Sequence, residues 1–307
     1  ALSDWIATIG PGLASGGPAT LLAFLGQCLD AFLLEPTAWP REARRRLLAW
    51  GREALAPLGP GLCLLAQTNP SPGDLAGNAS AIARRMRLAE ALGVDTVAFP
   101  ELALMGYPVR DAIARFPFLV RANEAWLLEL ARLSGKTRAL VGFVEDRRRD
   151  GALPTGRPFH NSVAILANGR VEGVVRKSLL PTYGEYEDWR TFEASERAGL
   201  VDSPLLGVPF RADGEAAAVL AEWNGVRYGL SVCEDAWNDR DYFHPPLYDR
   251  DPVAELAAAG PDVLLNLSAS VSRSRKEALK HDMLAHAAAK HGIPLVYANQ
   301  SGAVDEC

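Results

Sequence analysis

The chain has 307 residues, of which 49% are hydrophobic and 22% charged, and its formal net charge is −5. This composition suits one large packed domain with an extension. The negative balance, with no basic stripe, excludes nucleic-acid binding as the main function. The four cysteines form no CxxC pair, and no histidine lies at zinc-ligand spacing from them. We therefore expect neither a metal site nor a disulfide framework, and we place the protein in the cytoplasm.

Residues 1–58 differ from the rest of the chain. The apolar run at 21–34 is interrupted by Gln27 and Asp30, and it is shorter than the roughly 18 clean apolar residues of a membrane span. Arg41 opens a short amphipathic helix after this run, whereas a signal peptide carries its positive charges before its apolar segment. We therefore predict a helical N-terminal extension over 1–58, of unassigned role and with no membrane anchor.

From residue 61 onwards the pattern alternates between strands and helices. Strands are predicted at 62–67, 94–99, 139–144, 162–166, 171–175, 216–223, 226–232, 263–267 and 293–298. Asn168-Gly169 and Asn224-Gly225 each separate two of these strands, and this dipeptide is typical of two-residue hairpin turns. The sequence therefore contains two hairpins as well as strands that are connected through helices.

Three helices are predicted between these strands. One spans 74–92, and Gly93 follows it as a C-terminal cap. A second ends at 126–133. A third opens at Ser274, which forms a capping box with Glu277. The mixture of strand–helix units and hairpins favours a layered α/β sandwich over a doubly wound nucleotide-binding fold.

Glu101, Lys177 and Cys233 each lie just past the end of a predicted strand. A free thiol has a pKa near ~8.5, so an adjacent ammonium is needed to favour the thiolate. A carboxylate can take the thiol proton and pass it to a leaving amine, while the ammonium also stabilises an oxyanion. Alone, each residue is explained as a loop acid, a surface lysine or a buried structural thiol. Together they predict amide hydrolysis through a thioester.

Sequence blocks around these residues resemble the nitrilase superfamily, and within it the glutaminase domain of glutamine-dependent NAD⁺ synthetases. The likeness extends from about residue 61 to the end of the chain. Its most specific blocks are Cys-Glu-Asp-Ala-Trp at 233–237 and Asn-Leu-Ser-Ala-Ser at 266–270. The resemblance implies a nitrilase-like four-layer α-β-β-α sandwich over 59–307. It also implies that Glu101 is the general base, Lys177 the electrostatic stabiliser and Cys233 the nucleophile.

The resemblance further implies a pocket for glutamine. Tyr107 and Tyr183 match tyrosines that line this pocket, Ser270 matches a serine that binds the amino-acid end, and Glu234 is expected to meet the substrate ammonium. Either Arg275 or Lys276 is expected to hold the substrate carboxylate. The chain has Glu187-Asp188 where the family commonly has Asp-Glu, which leaves the identity of the supporting second carboxylate open.

The adenylating half of such synthetases has no counterpart in this sequence. Its Ser-Gly-Gly-x-Asp-Ser loop is absent, since the Ser-Gly-Gly at 15–17 continues as Pro-Ala-Thr. We therefore expect a glutaminase domain that is truncated at its C-terminus and needs no cofactor. ATP and Mg²⁺ would belong to the missing synthetase domain, and the resemblance implies a homo-oligomer. The alternatives are another amidase of the superfamily, acting on a carbamoyl or ω-amide substrate, or a non-catalytic interaction module.

Overall fold

A computed structural model describes residues 41–150, 156–184, 186–203, 206–208, 219–273 and 276–303. The predictions for residues 1–40, for the strand start at 216–218, and for Ser274 and Arg275 lie outside these residues. Within the described ranges, the helices are α1 Arg41–Leu55, α2 Leu75–Leu92, α3 Ala112–Arg115, α4 Pro117–Leu133, α5 Asp188–Thr191, α6 Pro252–Ala258 and α7 Lys276–His291. None of the helices in these ranges has the length and apolar character that a bilayer crossing demands.

The strands form two separate sheets. Their bounds are β1 Cys63–Leu65, β2 Thr96–Ala98, β3 Arg138–Asp146, β4 Phe159–Ala167, β5 Arg170–Arg176, β6 Leu200–Val201, β7 Ala221–Trp223, β8 Val226–Val232, β9 Val263–Ser268 and β10 Leu295–Asn299. The first sheet has the order β1-β2-β3-β4-β5-β6, and the second β10-β9-β8-β7. Pairings across helical connections are parallel, whereas β4–β5 and β7–β8 are antiparallel hairpins. Each predicted strand thus has a counterpart, several of them shorter than predicted.

Buried side chains divide into three clusters that define four layers. In the first sheet Val97 packs towards the helices α2 and α4, whereas Ala98 packs between the two sheets. In the second sheet Leu265 faces the space between the sheets and Leu264 faces α6 and α7. Neighbouring residues point in opposite directions because side chains alternate along a strand. The molecule is therefore the α-β-β-α sandwich that the sequence predicted.

Local signals set the turns and the helix ends. Asn168 and Gly169 have φ angles of 53° and 77°, and Asn224 and Gly225 have 54° and 75°. These left-handed values are those of the tight hairpin turn that Asn-Gly favours. Helix α2 begins where the Asp74 carboxylate accepts a bond from a backbone N–H and ends at Gly93, with φ 71°. The predictions for both hairpins and for this helix are confirmed.

Helix α1 belongs to the outer helical layer. It is the amphipathic helix predicted after Arg41, and it packs against α2. Leu47 and Leu55 are buried in the same cluster as Ile82 of α2, so removal of their apolar surface from water ties α1 to the sandwich. The division of the chain at residue 58 stays a prediction.

Candidate active site

The three predicted catalytic residues come from strand ends in both sheets. Glu101 follows β2 and Lys177 follows β5 in the first sheet, while Cys233 follows β8 in the second. Only 1%, 1% and 5% of their respective surfaces is exposed. Charged groups are almost never buried unless they are paired. The partners of Glu101 and Lys177 therefore explain how this site is held.

The Glu101 carboxylate is held by three donors. Its Oε1 accepts bonds from Lys177 Nζ at 2.6 Å and Asn161 Nδ2 at 2.7 Å. Its Oε2 accepts a bond from the backbone N–H of Ala269 at 3.1 Å. These contacts fix both oxygens, because each donor approaches from a different element of the fold. Such fixed geometry is what a group that moves a proton requires.

Lys177 lies between two carboxylates. Its Nζ is 2.6 Å from Glu101 Oε1 and 2.6 Å from Asp188 Oδ2. Burial acts to lower the pKa of Lys177, but the negative charges of Asp188 and Glu101 outweigh it and raise the pKa well above its usual range. Asp188 also accepts a bond from the Tyr107 hydroxyl at 3.0 Å. The second carboxylate in contact with the lysine is thus Asp188, whereas Glu187 is half-exposed and pairs with Arg190.

Cys233 occupies a strained position between β8 and a short 3₁₀ turn. Its φ of 44° is in the left-handed region, which is uncommon for residues other than glycine. The Ser268 hydroxyl donates to its Sγ at 3.1 Å. Burial, and secondarily the charge of Glu101, raises the pKa of the Cys233 thiol, while Lys177 and the Ser268 hydroxyl act to lower it. The resting side chain is therefore a thiol with a lysine and a carboxylate in its electrostatic surroundings.

Asp235 connects the lysine segment to the cysteine segment. Its Oδ1 accepts bonds from the backbone N–H groups of Ser178 and Leu179 at 2.9 and 2.8 Å, and its Oδ2 accepts one from Val232 at 3.0 Å. Ser178 directly follows Lys177, and Val232 directly precedes Cys233. One buried carboxylate thereby ties together the ends of β5 and β8, which lie in different sheets.

Next to Cys233, the Glu234 side chain turns towards two tyrosines. Its Oε1 accepts bonds from the hydroxyls of Tyr183 and Tyr248, both at 2.8 Å, and Tyr183 also donates to Oε2 at 3.0 Å. Burial raises the pKa of Glu234 to about 7, although Lys177 and both tyrosines act to lower it. The structure therefore brings Tyr183 and Glu234 together, as the prediction of a common pocket requires.

Two other predicted pocket residues, Lys276 and Tyr107, lie near Tyr186. Lys276 Nζ donates to the Tyr186 hydroxyl at 2.9 Å and lies 5.0 Å from the centre of that ring. The ring centre of Tyr186 is 5.8 Å from that of Tyr183 and 6.5 Å from that of Tyr107. Tyr107 and Ser270 line one cavity of about 240 Å³.

Sequence reasoning missed several residues of this site. Asn161, Tyr186 and Tyr248 carried no signal, because their partners are distant in the chain. Ser268 and Asp235 lie inside the two specific motifs, at 266–270 and 233–237, but the motifs did not reveal which atoms they contact. In the described part of the chain, no group of three His, Cys, Asp or Glu side chains is placed to hold a metal ion.

Comparison with known proteins identifies the family. Residues 65–306 match the carbon-nitrogen hydrolase family, and this match covers most of the chain. The chain therefore belongs to the carbon-nitrogen hydrolase family. It is also 30% identical over 247 residues to a glutamine-dependent NAD⁺ synthetase of Synechocystis sp., which covers 79% of this chain and 40% of that protein.

Two solved structures share the fold. A glutamine-dependent NAD⁺ synthetase from Acinetobacter baumannii superposes with a TM-score of 0.62 and 24% identity over 78% of this chain and 38% of its own. An amidase from Nesterenkonia sp. superposes with a TM-score of 0.56 and 20% identity over 78% of this chain and 75% of its own. The chain thus spans about two fifths of the length of these synthetases and about three quarters of the amidase.

Proposed function

We propose that this site hydrolyses the side-chain amide of glutamine to glutamate and ammonia through a thioester on Cys233. One observation supports the proposal: Glu101, Lys177 and Asp188 form a buried cluster. The charges of Glu101 and Lys177 act on the Cys233 thiol, and the adjacent residues Ser268 and Ala269 bind Cys233 and Glu101 respectively. Thiol, ammonium and carboxylate are the three groups that acyl transfer from an amide requires.

In the first step the Cys233 sulfur attacks the amide carbon. Because the pKa of the resting thiol is raised, the proton has to leave as the bond forms, and Glu101 accepts it. The oxyanion of the tetrahedral intermediate is stabilised by the Lys177 ammonium and by the backbone N–H of Glu234. Glu101 then gives its proton to the leaving nitrogen, the C–N bond breaks, and ammonia departs from a γ-glutamyl thioester.

In the second step water replaces ammonia. Glu101 takes a proton from the water as its oxygen attacks the thioester carbonyl. The C–S bond breaks, the proton returns to the sulfur, and glutamate leaves. Lys177 retains its charge throughout, because Asp188 takes no part in the proton transfers and its negative charge raises the pKa of the ammonium even while Glu101 is protonated. Lys177 therefore acts through its charge and transfers no proton.

Recognition of glutamine is assigned to the polar groups around this centre. Glu234 and Tyr183 would bind the α-ammonium and Ser270 the amino-acid end. Lys276 would bind the α-carboxylate, and Tyr107 would line the pocket. Support comes from the charges: Glu234 supplies a buried negative group and Lys276 a positive one. A zwitterionic amino acid fits two such groups, whereas a simple amide does not need them.

The use of the released ammonia by a longer enzyme is also a proposal. The synthetase relatives suggest that ammonia from this site would pass to a synthetase domain that uses ATP and Mg²⁺ to amidate nicotinic acid adenine dinucleotide. Homo-oligomerisation and a cytoplasmic location belong to the same proposal. Sedimentation equilibrium of the purified chain measures the first of these directly.

The decisive experiment is ammonia release from glutamine by the 307-residue chain and its Cys233→Ala variant. We expect loss of activity by at least about a thousandfold, since the nucleophile is removed, with unchanged circular dichroism. The matched control is Cys63→Ala, which removes a thiol in β1 and should retain activity. Full activity in Cys233→Ala would refute the thioester mechanism.

A second candidate is an amidase with a carbamoyl or ω-amide substrate, which the coverage of the Nesterenkonia amidase favours. Parallel assays with glutamine and N-carbamoyl amino acids distinguish the two, and preference for the carbamoyl compounds would reject the glutaminase. A thiol-reactive glutamine analogue tests the remaining alternative, a non-catalytic interaction module. Failure to label Cys233 would indicate a non-catalytic interaction module.

A further inference from the structure

Glu234 is a buried carboxylate without a cationic partner among the described residues. Only 3% of the surface of Glu234 is exposed, and the hydrogen bonds to its carboxylate are donated by neutral tyrosine hydroxyls. Burying a carboxylate without direct pairing to a cation is unfavourable, and the charge of Lys177 offsets this cost only in part, because the pKa of Glu234 is still raised. A cation bound to this carboxylate would offset the remaining cost of its burial.

Tyr248, one of these two tyrosines, lies in a loop whose backbone is hydrogen-bonded to a buried asparagine. Asn238, which is 1% exposed, binds this loop with its whole amide group. Its Oδ1 accepts bonds from the N–H groups of Leu247 at 2.8 Å and Tyr248 at 3.1 Å. Its Nδ2 donates to the carbonyls of Tyr248 at 2.8 Å and Arg250 at 2.6 Å. The amide thus uses all four of its hydrogen-bonding positions on three residues.

The two oxygens of Glu234 are consequently unequal. Oε1 accepts two bonds of 2.8 Å, one from each tyrosine, whereas Oε2 accepts the single, longer bond from Tyr183. A carboxylate oxygen has room for more than one donor. Oε2 therefore retains capacity for a further donor, while Tyr248 occupies Oε1 and fixes the plane of the carboxylate.

We propose that Tyr248 is a positioning residue for substrate specificity: held by Asn238, it orients Glu234 so that Oε2 binds the α-ammonium of the substrate. This inference rests on the proposed glutaminase function and adds a residue to its recognition site. Tyr248 acts through Glu234 and takes no part in bond breaking. Its loss should weaken recognition of the ammonium without slowing the chemical steps.

The electrostatics of Glu234 supply a second readout. Lys177, Tyr183 and Tyr248 lower the pKa of Glu234, whereas Asp188 raises it. Cys233 precedes Glu234 directly in the chain. Removing the Tyr248 hydroxyl deletes one of the lowering contributions. The pKa of Glu234 should therefore rise, and glutamine binding should need a higher pH before the carboxylate is charged.

The test compares Tyr248→Phe with the control Tyr242→Phe. Tyr242 lies in the same loop but packs against Phe243 and His286. The substrates are L-glutamine and glutaramate, which keeps the amide and the carboxylate but lacks the ammonium. For Tyr248→Phe we expect the KM for glutamine to rise about tenfold with kcat within twofold. Its kcat/KM for glutaramate should stay at the wild-type value, and the acidic limb of kcat/KM for glutamine should move to higher pH.

Each other outcome overturns a defined part of the argument. An equal loss on both substrates would show that Tyr248 only supports the fold, and no loss on either would show that it does not position Glu234. A wild-type chain that hydrolyses glutaramate as well as glutamine would refute the ammonium site but retain the amidase. A wild-type chain that hydrolyses neither would refute the proposed function and this inference with it.

Discussion

Replacing Glu234 with glutamine should stabilise the protein at high pH and leave its stability almost unchanged at low pH. The structural reason is burial, which raises the pKa of Glu234 from 4.5 to about 7. At a pH between 4.5 and about 7, Glu234 has lost its proton in the unfolded chain but retains it in the folded protein. Stability is therefore lost as the pH rises from about 4.5 to about 7, and it stays at the lower level above that.

The size of this loss follows from the difference between the two pKa values. About 2.5 pKa units correspond to about 3 kcal/mol of unfolding free energy. Glutamine has the same shape and stays neutral, so Glu234→Gln should recover up to about 3 kcal/mol at pH 8 and less than about 1 kcal/mol near pH 4.5. The tyrosine hydroxyls bind the ionised carboxylate more strongly than the protonated acid, and the pKa of about 7 already includes this contribution.

Urea unfolding of wild type and Glu234→Gln at pH 4.5, 6 and 8 measures the effect. The control is Glu187→Gln, because Glu187 is a half-exposed glutamate near the same site and should show no pH-dependent gain. An equal difference in unfolding free energy between Glu234→Gln and wild type at pH 4.5 and pH 8 would show that burial does not raise the pKa of Glu234. The same substitution removes the carboxylate proposed to bind the ammonium, so stability and glutamine affinity should change in opposite directions.

The remaining predictions concern the lysine and the thiol. Lys177→Met leaves Glu101 and Asp188 buried without their cation, so it should abolish ammonia release and lower the unfolding free energy, measured by urea, by about 3–5 kcal/mol. The control is Arg227→Met, which breaks an ion pair whose side chains are about half exposed and should change the urea midpoint little. Equal effects of the two substitutions would contradict the role of burial. Ser268→Ala removes a hydroxyl that lowers the pKa of the Cys233 thiol. The rate of Cys233 alkylation by iodoacetamide, measured with Cys28, Cys63 and Cys307 each replaced by Ala, should therefore rise only at higher pH than it does with Ser268 intact. An unchanged alkylation profile would show that the hydroxyl does not stabilise the thiolate.

Elements with local signals could be predicted from the amino-acid sequence. The Asn-Gly turns, the C-terminal glycine cap of α2 and the alternation of apolar residues depend on neighbours a few positions away, and each predicted structure was found. The motifs also placed Glu101, Lys177 and Cys233 at strand ends, since a motif and its strand are contiguous in the chain.

The contacts among these residues could not be predicted in the same way, because they join distant parts of the chain. Glu101 and Lys177 are 76 positions apart, and Tyr183 and Glu234 are 51 apart. No local pattern encodes such contacts, because they depend on how two sheets pack. Asp188 rather than Glu187 contacts the lysine because its side chain is buried at the start of α5, and the sequence does not show which of two adjacent carboxylates points inwards. The loop that brings Tyr248 to Glu234 is fixed by an amide ten positions earlier, through backbone bonds that form only once the chain has turned back on itself.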